Sequence, residues 1–173
     1  MFKPYRRAEA TEIARFYNEL LKNLPKSQRI WRMYSEKKSL STLENLLFVK
    51  DLLKKQKVTA SDITIFCEST RKHRVSVLAK RLFGKRKALH VVPIDFDTSP
   101  NRYLGADFFN KKEARVLQFD LWALKSTKNY KKYHELFREK ITFLRSRGTK
   151  NQSKAIEEWW RMKLKAIDER HLR

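Results

Sequence analysis

Asp62-Ile63-Thr64-Ile65-Phe66-Cys67, the stretch from Lys72 to Phe83, and Ala88-Leu89-His90-Val91-Val92-Pro93-Ile94 together decide the fold. The first run reads as a strand with buried apolar residues. The second carries Val75, Val77, Leu78, Ala79, Leu82 and Phe83 as an apolar stripe, and Gly84 stands where a glycine ends a helix. The third is a strand rich in β-branched residues. Strand, helix, strand in this order is a βαβ unit, with parallel strands and a right-handed crossover. The first strand opens into Glu68-Ser69-Thr70-Arg71-Lys72-His73-Arg74, and upstream stands Ser39-Leu40-Ser41-Thr42-Leu43-Glu44-Asn45. A polar helix entrance beside a strand with a basic C-terminal end is how an open α/β sheet builds a ligand crevice.

Outward from this unit the pattern is mainly helical. Residues 8–24 place Ala10, Ile13, Ala14, Phe16, Tyr17, Leu20, Leu21 and Leu24 at helical spacing, and Pro25 stops the run. Arg29-Ile30-Trp31-Arg32-Met33-Tyr34 alternates charged and apolar residues and reads as a short strand. Ser41 or Thr42 supplies an N-cap for a helix through Leu46, Leu47, Val49, Leu52 and Leu53. Residues 113–124, 129–147 and 151–170 form three further helical segments, the last carrying Trp159 and Trp160. The expected fold is α/β: a partial Rossmann-like parallel sheet with flanking helices over residues 1–100, and a C-terminal α-helical extension over 101–173 packed on the same domain.

At 173 residues the chain has room for one domain with a proper core. Its 41% apolar residues argue against disorder despite the charge. Lys and Arg number 41 against 19 acids, a formal net charge of +22. Such a surface attracts polyanions, or simply solvates the chain and repels its copies. The single Cys67 permits no internal disulfide, and no Cys/His cluster has zinc spacing. No run approaches the roughly 20 apolar residues of a membrane span, and the basic amino terminus lacks the apolar stretch of a secretory signal. A soluble, intracellular and cytoplasmic protein is the expectation.

The segments over residues 8–97 resemble the ElyC/SanA/YdcF family, the domain of unknown function 218. Glu9-Ala10 looks like that family's first helix start. Ser39 with Thr42-Leu43-Glu44-Asn45 resembles its Ser-x-x-Thr-x-Glu-Asn element, and Arg71-Lys72-His73-Arg74-Val75 resembles its His-x-x-Arg loop. Phe119-Asp120-Leu121-Trp122-Ala123-Leu124-Lys125-Ser126 is similar to a eukaryotic, fungus-type branch. The resemblance implies a Rossmann-like fold, a link to envelope biogenesis, and an S-adenosylmethionine-like ligand. Two departures matter. Arg71 takes the histidine place, and His73 is offset by two positions; a guanidinium binds anions but does not exchange protons near neutral pH. The family's first strand and glycine-rich turns have no counterpart, and the three glycines (Gly84, Gly105, Gly148) wrap no phosphate. A divergent member, or a gene model that lost its start, is expected.

Thr42, Glu44, Asn45, Arg71 and Arg74 are therefore the expected ligand-binding residues. Glu44 and Asn45 also fit an ordinary first helical turn, and Arg71 and Arg74 also fit a pair of solvated charges. Asp95 and Asp97 read as turn-formers, His90 as a partly buried core histidine, and His134 with Tyr130 and Tyr133 as packing or surface. The aromatics Tyr130, Tyr133, Phe137, Phe143, Trp159 and Trp160 fall at helical spacing and read as core. The leading expectation is a crevice at the strand C-terminal ends for a small anionic, nucleotide-like or S-adenosylmethionine-like ligand. The rival is a non-catalytic basic protein that binds nucleic acid through phosphate contacts.

Overall fold

The computed structural model describes residues 9–28, 33–84, 88–95, 106–148 and 152–171. Among these the helices are α1 Glu9–Lys22, α2 Thr42–Lys55, α3 Lys72–Phe83, α4 Ala106–Ala123, α5 Thr127–Ser146 and α6 Gln152–His171; the strands are β1 Asp62–Glu68 and β2 Ala88–Ile94. The chain divides after Ser39 into two compact units. In the first, α1 keeps Ile13, Phe16, Tyr17 and Leu20 about half exposed. Of the expected strand at 29–34, Met33 and Tyr34 belong to no strand, and the rest lies outside the described residues.

In the second unit, local chemistry sets the element ends. Ser41 has extended backbone angles, and its Oγ accepts the Glu44 amide at 3.2 Å, satisfying a donor that the first helical turn would leave orphaned. Ser126 does the same for Asn129 at the start of α5. Gly84 ends α3 with φ +82°, a conformation that L side chains rarely adopt. α4 starts at Ala106, earlier than the apolar spacing predicts, with Asp107 as an acid in its first turn.

β1 and β2 pair in parallel over their whole length, from Asp62 opposite Ala88 to Glu68 opposite Ile94. With α3 between them they form the expected βαβ unit. The burial of β1 differs from expectation: Ile63, Ile65 and Cys67 are half-buried, while Phe66 is 65% exposed, opposite Val92 in the register. His90 likewise lies exposed on that outer face rather than in a core. The reason is that this two-stranded sheet buries one side only, so exposure alternates with the pleat. The core sits among the helices instead. Leu43 and Leu46 of α2, Leu78 of α3, Val116 and Phe119 of α4, Tyr133 and Phe137 of α5, and Trp159, Trp160 and Leu164 of α6 form one buried cluster. The result is a mostly helical α/β unit whose small parallel sheet rides on a helical core. Among the described residues no helix is long and apolar enough to cross a membrane.

Candidate functional site

β1 ends at Glu68, makes a single 3-10 turn over Ser69–Arg71, and passes directly into α3. Among the described residues no side chain caps the amino end of α3. Thr70 Oγ1 and Arg71 Nε are both shielded from solvent without a hydrogen-bond partner. Arg71 Nε lies 3.5 Å from Glu68 Oε2, an ion pair without a hydrogen bond, and the Arg71 side chain is 42% exposed. The turn packs against α3, α4 and β2. The C-terminal end of β1 thus holds two solvent-shielded polar atoms without hydrogen bonds, one of them ion-paired to Glu68.

Arg74, one turn further on, is buried. Its Nε donates to Asp120 Oδ2 at 2.6 Å and its Nη1 to Glu113 Oε2 at 3.0 Å. Tyr133 donates its hydroxyl to Asp120 Oδ1 at 2.7 Å, and Lys112 Nζ lies 2.8 Å from Glu113 Oε1. These groups come from α3, α4 and α5, so one charged network ties three helices together. Burial pushes the Asp120 carboxyl above its ordinary value, against the pull of Arg74 and Tyr133. For Glu113, burial also works upward, but Arg74 and Lys112 outweigh it and hold the carboxyl below its ordinary 4.5.

A pH test follows from Glu113. Its folded-state pKa is depressed, so its stabilisation is present above 4.5 and is lost as pH falls through the folded value. Glu113→Gln should therefore flatten the loss of stability below pH 4.5, read from urea midpoints across that range. Parallel acid limbs for wild type and variant would exclude this role.

Two lysines complete the neighbourhood. Lys112 is buried, with Nζ 3.9 Å from the Phe109 ring centroid and 5.5 Å from that of Trp160. Lys140 of α5 is half-buried, with Nζ 5.1 Å from the Trp160 centroid and 6.0 Å from that of Phe137. Burial pushes the Lys140 ammonium down to about 8, and Lys112, Arg71 and Arg74 push the same way against Glu113. Among the described residues no carboxylate lies within ion-pairing distance of Lys140. Arg71, Arg74, Lys112 and Lys140 therefore share one region with only Glu113 and Asp120 as buried counter-charges, and Arg74 already engages both acids.

Glu44 of α2 meets α5 at Tyr130 and His134. Its Oε2 accepts the Leu40 amide at 2.7 Å and its Oε1 contacts His134 Nδ1 at 2.6 Å. The side chain is fully buried. The Tyr130 hydroxyl stands 3.5 Å from the same Oε1, and burial together with Glu44 pushes it up to about 12. His134 and Tyr133 are neighbours on α5, so Glu44 and the Arg74 network meet through adjacent residues of one helix. Thr42 is half-buried and Asn45 exposed on the first turn of α2. Of the five expected ligand residues, Glu44 and Arg74 are buried in internal pairs, whereas Arg71, Thr42 and Asn45 are reachable from solvent. Asp95 is exposed beyond β2, and Asp97 lies outside the described residues.

Lys112, Glu113, Asp120, Tyr133, His134 and Lys140 were not expected at a site. One signal for them exists: Glu113 and Asp120 share the face of α4 that carries Val116 and Leu117. Charges placed on an apolar helical stripe must find buried partners. A separate open groove runs along α5 beside Glu135, Arg138, Glu139, Thr142 and Phe143, and none of the expected residues lines it. The chain matches no protein-family model, no curated protein and no solved structure.

Proposed function

We propose that this chain binds a small nucleotide-like or S-adenosylmethionine-like ligand in a crevice at the C-terminal ends of β1 and β2, on a partial Rossmann-like layer of the ElyC/SanA/YdcF kind, in the cytoplasm. The observation that carries the reading is the β1–turn–α3 junction, where Thr70 Oγ1 and Arg71 Nε lack hydrogen-bond partners. Buried donors and acceptors are almost always paired, so unpaired ones at a strand C-terminal end point to a partner that arrives from outside. Arg71, Thr42 and Asn45 would touch the ligand. Glu44 and Arg74, satisfied internally, would hold the walls. The second reading is nucleic-acid binding through phosphate contacts, favoured by the net charge of +22.

Thermal unfolding with nucleotides and with S-adenosylmethionine separates the two. A ligand at about a hundred times its Kd should raise Tm by on the order of 5–10 °C. Arg71→Ala, at a partly exposed position, should remove most of that rise without lowering the unliganded Tm. If no such ligand moves Tm while RNA or DNA binds with a steep salt dependence, the crevice reading falls and the nucleic-acid reading stands.

A further inference from the structure

We infer that Thr70, Arg71, Lys112 and Lys140 form an anion subsite that takes the phosphate group of a phosphorylated ligand. The inference rests on the crevice reading and gives it a chemical class. It begins from an imbalance of charge. Arg74 occupies both buried carboxylates of the region, and Lys112 shares Glu113 with it. Among the acids of the described residues, Arg71 ion-pairs with Glu68 alone, at 3.5 Å. Among the described residues no carboxylate lies within ion-pairing distance of Lys140, and burial, with Lys112, Arg71 and Arg74 pushing the same way against Glu113, lowers its ammonium to about 8.

Holding like charges together in a partly dry place destabilises a fold unless something neutralises them. Solvated lysines avoid that penalty by turning their heads to water. Here both ammonium groups lie over aromatic rings instead, Lys112 over Phe109 and Lys140 over Trp160. The rings favour the cations but contribute no hydrogen bonds; Lys112 has Glu113 Oε1 at 2.8 Å, whereas among the described residues no carboxylate is within ion-pairing distance of Lys140. Thr70 Oγ1 and Arg71 Nε add unpaired polar atoms from the turn, which packs on the helix that carries Lys112. A tetrahedral oxyanion supplies acceptor oxygens for Lys140, Arg71 and Thr70, and adds negative charge beside Lys112, whose own acid is Glu113 at 2.8 Å. The uncapped amino end of α3 adds the matching partial positive charge. The same field disfavours the sulfonium of S-adenosylmethionine and selects a phosphate ester.

The test uses the full chain with ADP, adenosine and inorganic pyrophosphate as probes, by calorimetry and thermal unfolding. Lys140→Met removes the charge while keeping the apolar stem. Lys131→Met, at an exposed position on α5, removes an equal charge elsewhere. Wild type should bind ADP at least about tenfold tighter than adenosine, the scale of a charge-assisted hydrogen bond. Lys140→Met should weaken ADP and pyrophosphate by about tenfold, leave adenosine unchanged and raise the unliganded Tm, because a repelled cation has gone. Lys140→Arg should keep binding.

Equal affinity for ADP and adenosine would leave the crevice reading standing and overturn the phosphate subsite. Equal loss of ADP binding in Lys140→Met and Lys131→Met would overturn it too, in favour of diffuse surface charge. Binding of none of the probes, with no shift from S-adenosylmethionine, would remove the crevice reading itself. If Lys140→Met fails to fold, acylation of the wild-type lysines replaces it: pyrophosphate should protect Lys140 and Lys112 but not Lys131, and uniform protection would overturn the subsite.

Discussion

Asp120→Ala is expected to destabilise the fold by about 3–5 kcal/mol, the range for breaking a buried ion pair from one side. Asp120 is fully buried and accepts from Arg74 at 2.6 Å and from Tyr133 at 2.7 Å. Its removal leaves the Arg74 guanidinium with Glu113 alone and takes from the buried Tyr133 hydroxyl its carboxylate acceptor. Removing both charges is a different experiment. Arg74→Met with Asp120→Leu should cost much less than Asp120→Ala, since apolar residues of similar volume often replace a buried pair without loss. Glu113 keeps Lys112 as its partner in that double variant. Urea unfolding of the four members of this cycle gives the coupling directly. An Asp120→Ala loss below about 1 kcal/mol, the scale of an exposed pair, would show that the network does not hold α3 to α4.

Trp160→Ala is expected to cost about 3–5 kcal/mol, as large-to-small changes of buried aromatics do. Trp160 is 5% exposed, packs edge-on against Phe137 at 6.0 Å, and belongs to the cluster joining α2 to α6. Its ring also lies beneath Lys112 and Lys140. The cavity should therefore do two things at once: lower the urea midpoint and let water reach both ammonium groups. Trp160→Phe should keep most of the stability. A midpoint change within about 0.5 kcal/mol, the size of a surface substitution, would place Trp160 outside the core.

Trp160 reads as core from its helical spacing, whereas no feature of the sequence marks Asp120 as the buried partner of Arg74, and there the linear reading stops. The elements themselves were legible. The bounds of α3 and β2 follow the runs Lys72–Phe83 and Ala88–Ile94, and the start of α2 follows from a capping hydroxyl at Ser41. Capping, glycine stops and apolar periodicity act between residues a few positions apart, so they are written in adjacent letters. The junction of β1 with α3 was legible in outline for the same reason, since a parallel βαβ unit places the β1 end and Arg71 together.

The pairing of charges was not legible. Glu44 meets His134 across 90 positions, and Arg74 meets Asp120 across 46. Nothing local to Glu44 distinguishes a carboxylate offered to a ligand from one buried against an imidazole. Nor does a strand know from its own residues whether a helix covers both of its faces; β1 carries apolar residues on both, and only one is buried. The local order of strand, helix and strand was thus present in the chain's letters. Which carboxylates pair with Arg74, and which lysines lie over Trp160, depended on how α3, α4, α5 and α6 pack, because burial and Coulomb forces act through space rather than along the chain.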